Sequence, residues 1–334
     1  MTSLGIWLLV ALGAVSCASA PSSGTPAPNS APSAPPLHRG SLTDYVPAAG
    51  LRWMLAGSPR KIAESSVFRD SLRLLLPAER LNAFATGSGA DLRLVDTGLV
   101  AGFDLGTLYL FTPPEGAQEA IVRRFRERIA SGERIARPHP DLLRVSGIVG
   151  GIPQTLVRLD GFAVAFASAD PTLARIVEAF ARKELKSPSS LQGAALSQLG
   201  TTPADAVATF YAPGPFEGEW AQGARGLLAD AVALQISVTA AGTERIRLDV
   251  ELAGDFPPHG ADDLVHGFRA LSESSTGKLL GLDQLESSPN VPEREGRLLM
   301  DVELALAPIA RGLRAAVIAD VWEIFDLPKR PTKP

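Results

Sequence analysis

Strict alternation of apolar and polar residues in two segments of the chain constrains its fold most. Arg245–Ala253 reads RIRLDVELA and Arg297–Ala305 reads RLLMDVELA. A period of two is typical of an antiparallel strand with one buried face and one solvated face. A slip of one residue would bury the carboxylates, so the pattern predicts which side chains enter the core. The predicted core positions are Leu248, Val250, Met300 and Val302, and the predicted solvent or rim positions are Asp249, Glu251, Asp301 and Glu303.

A unit of a strand or hairpin, a turn marked by Pro or Asp, and an amphipathic helix recurs along the chain. Turn signals such as Asp160-Gly161 and Ala241-Gly242 predict hairpins, and proline is tolerated in the first turn of a helix. The predicted strands and hairpins are Leu99–Phe111, Ile152–Phe166, Val232–Leu252 and Arg297–Leu306, with helices following Pro113-Pro114, Asp170-Pro171, Pro257-Pro258 and Pro308. This order predicts an α+β fold in which helices pack on one face of an antiparallel sheet built from hairpins.

The polar, proline-containing segment Lys186–Ser190 is the best candidate for an internal boundary. It predicts two similar α+β lobes, although one continuous sheet could also cross it. The predicted organisation is a signal peptide over 1–16, a lipidated cysteine with a Pro/Ser/Ala tether over 17–40, lobes over 41–187 and 188–327, and a flexible tail over 328–334.

The N-terminal region indicates export. Ile6–Val15 is an apolar run that is too short to span a bilayer and has the length of a signal-peptide core. Ala14-Val15-Ser16-Cys17 follows it, and Cys17 is the only cysteine of the chain. This arrangement resembles the lipobox of bacterial lipoproteins, in which the cysteine is acylated and becomes the new N-terminus. The resemblance implies a membrane partner through a lipid anchor at Cys17. The alternative is a plain secreted protein that is cut near Ala18.

Composition excludes several classes of function. Apolar residues make up 46% of the chain, as in a folded globular protein, and the formal net charge is −4, which gives no general attraction to nucleic acid. A body without cysteine has no disulfide, thiolate metal site or cysteine nucleophile. We therefore expect no nucleic-acid partner.

Four sets of polar residues could suggest a functional site, and each also has a simpler, non-functional explanation. His259, Asp262, Asp263 and His266 would share one helix face, but Leu264, Phe268 and Leu271 would be the buried stripe of that helix, which leaves the polar set in solvent. One predicted helix carries four arginines beside its apolar side, which is typical of a solvated helix face. They are Arg123, Arg124, Arg126 and Arg128. The S-x-x-K motif occurs at Ser58 and at Ser275, but the other motifs of serine acyl enzymes are missing. The pair Glu217 and Glu219 could match the two carboxylates of a glycosidase, but the sequence does not give the distance between them.

The sequence therefore predicts no catalytic residues, cofactor or metal site. Its leading interpretation is an exported, membrane-anchored envelope lipoprotein that binds or scaffolds an unknown protein or apolar ligand without catalysis. The alternatives are an envelope hydrolase whose site is not located and a carrier of an apolar ligand. A large apolar cavity would favour the carrier, and a cleft with converging carboxylates would favour the enzyme.

Overall fold

The structure is a computed structural model that describes residues 34–104, 106–218, 227–274, 277–278, 281–285, 288–294 and 296–316. In this part of the chain, twelve antiparallel strands form one sheet in the order β11-β12-β10-β9-β8-β1-β2-β3-β7-β6-β5-β4. The strands are β1 (Leu51–Gly57), β2 (Gly98–Phe103), β3 (Gly106–Phe111), β4 (Ser131–His139), β5 (Leu142–Val149), β6 (Ile152–Leu159), β7 (Ala163–Ser168), β8 (Ala208–Pro213), β9 (Ala231–Ala240), β10 (Arg245–Gly254), β11 (Glu293–Arg294) and β12 (Arg297–Ala305).

Eight α-helices accompany this sheet in the described residues. They are α1 (Pro59–Glu64), α2 (Arg69–Leu75), α3 (Ala78–Ser88), α4 (Ala117–Glu127), α5 (Pro171–Ala181), α6 (Leu227–Asp230), α7 (Gly260–Glu273) and α8 (Leu306–Ala316). Short 3₁₀ helices lie at Leu42–Tyr45, Leu92–Leu94, Ser190–Gln192 and Leu196–Gln198. The predicted α+β class, with an antiparallel sheet built from hairpins, is confirmed.

One sheet crosses the segment at which the sequence suggested a boundary between two lobes. Strand β1 pairs with β2 through Met54↔Ala101 and with β8 through Met54↔Tyr211. The strands before and after Lys186–Ser190 are thereby joined in a single ladder. The structure therefore has one continuous sheet, which was the alternative to two separate lobes.

The helices divide between the two faces of the sheet, where the sequence led us to expect one. Successive side chains of a strand point to opposite faces, so we name the faces after Met54 and Leu55 of β1. On the Met54 face, α5 packs its buried residues Leu173 and Val177 into the main core cluster. On the Leu55 face, α3 and α4 cover the strands around β7, and α7 and α8 cover β9, β10 and β12.

The two alternating segments are neighbouring strands in register, with Asp249 opposite Asp301 and Leu248 opposite Val302. Met300 and Val302 are fully buried, as predicted, while Leu248 and Val250 are partly buried against the same clusters. The carboxylates lie on the Met54 face.

The prediction for Glu251 is wrong, because this residue is only 7% exposed. Its carboxylate accepts hydrogen bonds from the Gly200 amide at 2.8 Å and from Arg297 at 3.1 Å. The loop that contains Gly200 lies over this end of β10, which the alternation within one strand cannot reveal.

Two further expectations need correction. The tether was predicted to run to residue 40, but the His38 amide donates to the Ala181 carbonyl at 2.7 Å, and His139 lies 2.8 Å from the Pro35 carbonyl. The chain is therefore held against the body from Pro35 onward. Leu271 was expected in the buried stripe of α7, but it is 47% exposed.

The difference between Leu304 of β12 and Leu271 gives a matched stability test. Leu304 is fully buried in a cluster with Val302 and Leu306, so Leu304→Ala should lower the free energy of unfolding by about 2–5 kcal/mol through lost burial and a residual cavity. Leu271→Ala should change it by less than about 0.5 kcal/mol. Urea unfolding of both variants measures the difference, and equal losses would contradict the placement of β12.

Candidate apolar binding site

A cavity of about 300 Å³ lies between the Leu55 face of the sheet and helices α1, α3 and α4. Its volume is at the lower end of the range of about 300–1,000 Å³ that small-molecule sites occupy. The described residues that line it are Leu55, Ala56, Gly57, Ser58, Pro59, Ile62, Phe84, Ser88, Ala90, Leu92, Val95, Gly98, Leu99, Val100, Tyr109, Leu110, Phe111, Ile121, Arg128, Phe166 and Ala208.

The sheet side of the cavity is built from side chains that lie directly opposite one another across strands. Leu55 pairs with Val100, Val100 with Tyr109, and Tyr109 with Phe166. With Ala208 of β8, the lining extends over five neighbouring strands. Strands lie about 4.8 Å apart, so this side of the cavity is roughly 19 Å long. The site is therefore elongated.

A pair of glycines lies beneath the N-terminus of α1. Gly57 and Gly98 are register partners in β1 and β2, next to the row that contains Leu55 and Val100. Because neither residue has a side chain, Pro59 at the start of α1 can approach the sheet closely at Gly98. A Cβ atom on Gly98 would have its nearest neighbour, Pro59 Cγ, at 3.6 Å, which is an ordinary van der Waals contact.

Local sequence signals position the helices that form the other side of the cavity. Helix α1 begins where the Ser58 hydroxyl accepts a hydrogen bond from the Lys61 amide at 3.3 Å, with Pro59 in the first turn. Helix α3 ends at Gly89, whose φ is +78°. A Cβ there would lie 2.8 Å from the Ala120 backbone, so only glycine lets the end of α3 approach α4 this closely.

The polar atoms of the lining are few. The two serine hydroxyls are engaged internally, Ser58 as the cap of α1 and Ser88 as a donor to the Phe84 carbonyl at 2.8 Å. Tyr109 and Arg128 contribute the remaining polar side chains, and Arg128 is the one charged residue among the described lining residues. The arrangement offers an apolar chain a long contact surface, with one cationic group.

The cavity borders an exposed apolar strip of the sheet. Leu55 is 44% exposed and Trp53, two residues earlier on the same face, is 37% exposed. The Trp53 ring lies over Gly102, where a Cβ would approach it to 2.4 Å. Exposed apolar surface beside a cavity is typical of a ligand-binding groove.

The sequence singled out polar sets that lie elsewhere. His259, Asp262 and His266 are exposed on α7, and His259 lies 3.2 Å from the partly buried Asp263. Within the described residues, no three His, Cys, Asp or Glu side chains form a metal-binding group. Cys17, Glu219 and Ser275 lie outside the described residues.

Three of the four arginines of the α4 region form ion pairs on the solvent side. Arg123 and Arg124 pair with Glu127, and Arg126 pairs with Glu133. Arg128 belongs to the lining of the cavity. Arg128 is the C-cap residue that follows the last turn of α4, so the helical periodicity of the sequence does not predict its position in the lining.

The paired aspartates of β10 and β12 are half-buried rather than enclosed. Asp249 accepts a hydrogen bond from Arg247 at 3.2 Å, and Asp301 accepts one from Asn290 at 3.1 Å. Burial raises the pKa of Asp249 above its ordinary range, against the lowering effect of Arg247, and the nearby carboxylates of Asp301 and Asp205 add to the rise. The pair lies on the sheet face opposite the cavity and has no contact with it.

Comparisons with known proteins add little. No protein-family model and no curated protein matches this chain. Among solved structures, crystal form I of TP0453 aligns with a TM-score of 0.48 and 7% identity, over 83% of this chain and 98% of that chain. Crystal form IV of TP0453 aligns with a TM-score of 0.46 and 9% identity, over 84% and 98%. These values are too low to support an argument about function.

The raised pKa of Asp249 gives a pH-dependent prediction. A carboxyl whose pKa is higher in the folded state favours folding when protonated, so its contribution is lost as the pH rises above about 4. Asp249→Asn should therefore be more stable than wild type at pH 7, with the difference vanishing near pH 3. Urea unfolding across this range measures it. A less stable variant at pH 7 would show that the ion pair with Arg247 outweighs burial.

Proposed function

We propose that this chain is an exported protein, anchored to a membrane by a lipid on Cys17, whose body binds an apolar ligand in the cavity under α1, α3 and α4. The observation that carries the proposal is the cavity itself, with its elongated and nearly uniform apolar lining. The described lining contains no carboxylate, imidazole or thiol group. Of the functions that the sequence left open, the carrier of an apolar ligand fits this lining best.

The physical chemistry of an apolar cavity supports binding. Water gains few hydrogen bonds from an apolar lining, so its displacement by an apolar guest is favourable. Burial of a ligand on the Leu55 face removes apolar surface from water on both partners, at about 25 cal/mol per Å². The exposed Leu55 and Trp53 extend the same chemistry beyond the cavity, and part of a long ligand would lie over them.

The proposed location supplies such ligands. A protein whose N-terminal cysteine carries acyl chains stays beside a bilayer, where single-chain and two-chain lipids are abundant. The apolar run Ile6–Val15, the position of Cys17 and the Pro/Ser/Ala segment after it support this location. None of the described helices has the length and apolar character of a bilayer-crossing helix. In our proposal, membrane association therefore depends on Cys17.

The cavity is tested by placing a charge at its edge. Leu55→Glu should weaken the binding of the apolar probe Nile red at least about tenfold, because a carboxylate beside a bound apolar ligand loses hydration. Ile135→Glu is the matched control, since Ile135 is 51% exposed on β4 and does not line the cavity. It should change the affinity less than about twofold. Fluorescence titration measures both variants.

A second variant fills the space without adding charge. Gly98→Val should weaken Nile red binding, because it adds apolar volume to the lining. Urea unfolding of the variant checks that it still folds, since a Cβ on Gly98 already lies 3.6 Å from Pro59 Cγ. Unchanged binding in both Gly98→Val and Leu55→Glu would contradict the proposed site. Wild-type protein that binds no apolar probe would favour the scaffold interpretation.

The anchor is tested separately. In a Gram-negative host, wild-type protein should partition with membranes and begin at Cys17 with the added mass of three acyl chains. Cys17→Ser should be neither acylated nor cut before position 17, because acylation requires the thiol. Membrane fractionation and mass spectrometry of the N-terminus measure the outcome. A soluble wild-type protein that begins at Ser19 or later would leave a plain secreted protein and would not affect the cavity proposal.

A further inference from the structure

Strand β4 forms one edge of the twelve-stranded sheet in the described residues, and nearly all of it is exposed. It pairs with β5 alone, and of its nine residues only Ala136 and His139 are partly or fully buried. An edge strand presents unpaired N–H and C=O groups with which another strand can pair. Ile135, in the middle of this edge, is 51% exposed. The edge is therefore a candidate interaction surface.

The register of β4 shows which of its backbone groups point outward. In an antiparallel ladder, the N–H and C=O groups of successive residues point to opposite sides of the strand. The Ala130 amide donates to the Ile148 carbonyl at 2.8 Å, so Ile148 and, by alternation, Ser146 of β5 direct these groups at β4. Ser146 lies opposite Arg134. Arg134 therefore uses its backbone groups within the sheet, and its neighbour Ile135 directs its own at the free edge.

The side chain of Ile135 lies at the border of a buried cluster. Ile135 is opposite Val145 of β5, which is buried in the cluster that α4 covers on the Leu55 face. Glu133, two residues earlier in β4, forms an ion pair with Arg126 of α4 at 2.5 Å, so it lies on the same face. A second apolar side chain beside Ile135 would extend the buried cluster beyond the edge of the sheet.

The order of residues in β4 favours pairing of the strand with itself in one register. Its central residues read ERIAR. When two copies align antiparallel about a two-fold axis at Ile135, the two Ile135 side chains lie opposite each other, and Glu133 of each copy lies opposite Arg137 of the other. Apolar pairs and opposite charges directly across strands stabilise a sheet, and like charges destabilise it. An axis at Glu133, Arg134 or Arg137 would instead place like charges opposite each other.

We propose that two copies of this chain associate through β4, antiparallel and with the two-fold axis at Ile135, so that their sheets become one. Such an interface uses the same surface of both copies, as is usual for dimers. Register irregularities on both sides, and Pro138, which has no N–H, confine the paired stretch to the centre of β4. The interface is therefore small and the dimer is weak. The inference does not depend on the proposed ligand, because Ile135 does not line the cavity.

Charged residues on an edge strand also have an ordinary explanation. Native proteins place charges, bulges and proline on exposed edges to prevent pairing, and β4 has all three. On that account Glu133, Arg134 and Arg137 protect the edge in the same way. The two accounts differ in one respect. Protection depends on the presence of charge, whereas pairing in the proposed register depends on the sign of the charge at positions 133 and 137.

The two-fold axis makes Ile135 its own partner, which gives a test with one introduced cysteine. The Cα atoms of a hydrogen-bonded pair in an antiparallel ladder lie about 5.5 Å apart. With a short bismaleimide, full-length Ile135→Cys in host membranes should therefore form covalent dimers at least about tenfold faster than Leu271→Cys, because paired thiols have a high effective concentration. Leu271 is the matched control, since it is 47% exposed and lies on α7. The wild-type chain, whose one cysteine is Cys17, measures the background.

Exchange of charges tests the register in the same cysteine background. Glu133→Arg and Arg137→Glu each place like charges opposite one another twice, and each should slow crosslinking at least about tenfold. The double variant restores opposite charges and should restore the rate, and so should co-expression of the two single variants. Arg134→Glu is the matched control, because it changes the charge of the same strand equally but lies opposite the neutral Ala136 of the second copy. It should retain the rate within about twofold.

The outcomes decide between the two accounts. Rescue isolates the contact between copies, because the ion pair of Glu133 with Arg126 is lost in Glu133→Arg and in the double variant alike. Rescue by co-expression also shows that both single variants fold. Equal rates for Ile135→Cys and Leu271→Cys, or a double variant as slow as the single ones, would overturn the inference. A crosslinked product whose mass is not twice that of the chain would overturn it in favour of another partner. Each of these results leaves the cavity proposal intact.

Discussion

The pairing of β1 with two partners holds the architecture together. Backbone hydrogen bonds join β1 to β2 on one side and to β8 on the other, and β8 follows β1 by about 150 residues in the chain. Without these two ladders, the strands before and after Lys186–Ser190 would be separate sheets with exposed edges. The middle of the sheet therefore depends on contacts that are distant in sequence.

The cavity lies near this junction, between the parts of the Leu55 face that the described helices α3, α4, α7 and α8 cover. Helices α3 and α4 bury the strands around β7, and α7 and α8 bury those around β10. Near the junction, Gly57 and Gly98 are register partners, and Pro59 of α1 lies close to Gly98.

An apolar cavity has a thermodynamic consequence. Residues that line one make fewer dispersion contacts than residues of a close-packed core. A ligand that fills the space restores those contacts and stabilises the folded state in proportion to its concentration and affinity. The proposed site couples ligand binding to the stability of the sheet at its central strands.

The sequence by itself determined the local elements. Proline and aspartate marked the start of α5, which begins at Pro171 as predicted, and period-two alternation identified β10 and β12 because side-chain direction within a strand is a local property. Only the tertiary structure decided which strands became neighbours, that Glu251 is covered by a distant loop, and that Gly57 meets Gly98 beneath α1. These features depend on pairings between remote segments, which alternation and turn signals within one segment do not encode. The same limit made Arg128 indistinguishable from the other arginines of α4 until the helix was packed against the sheet.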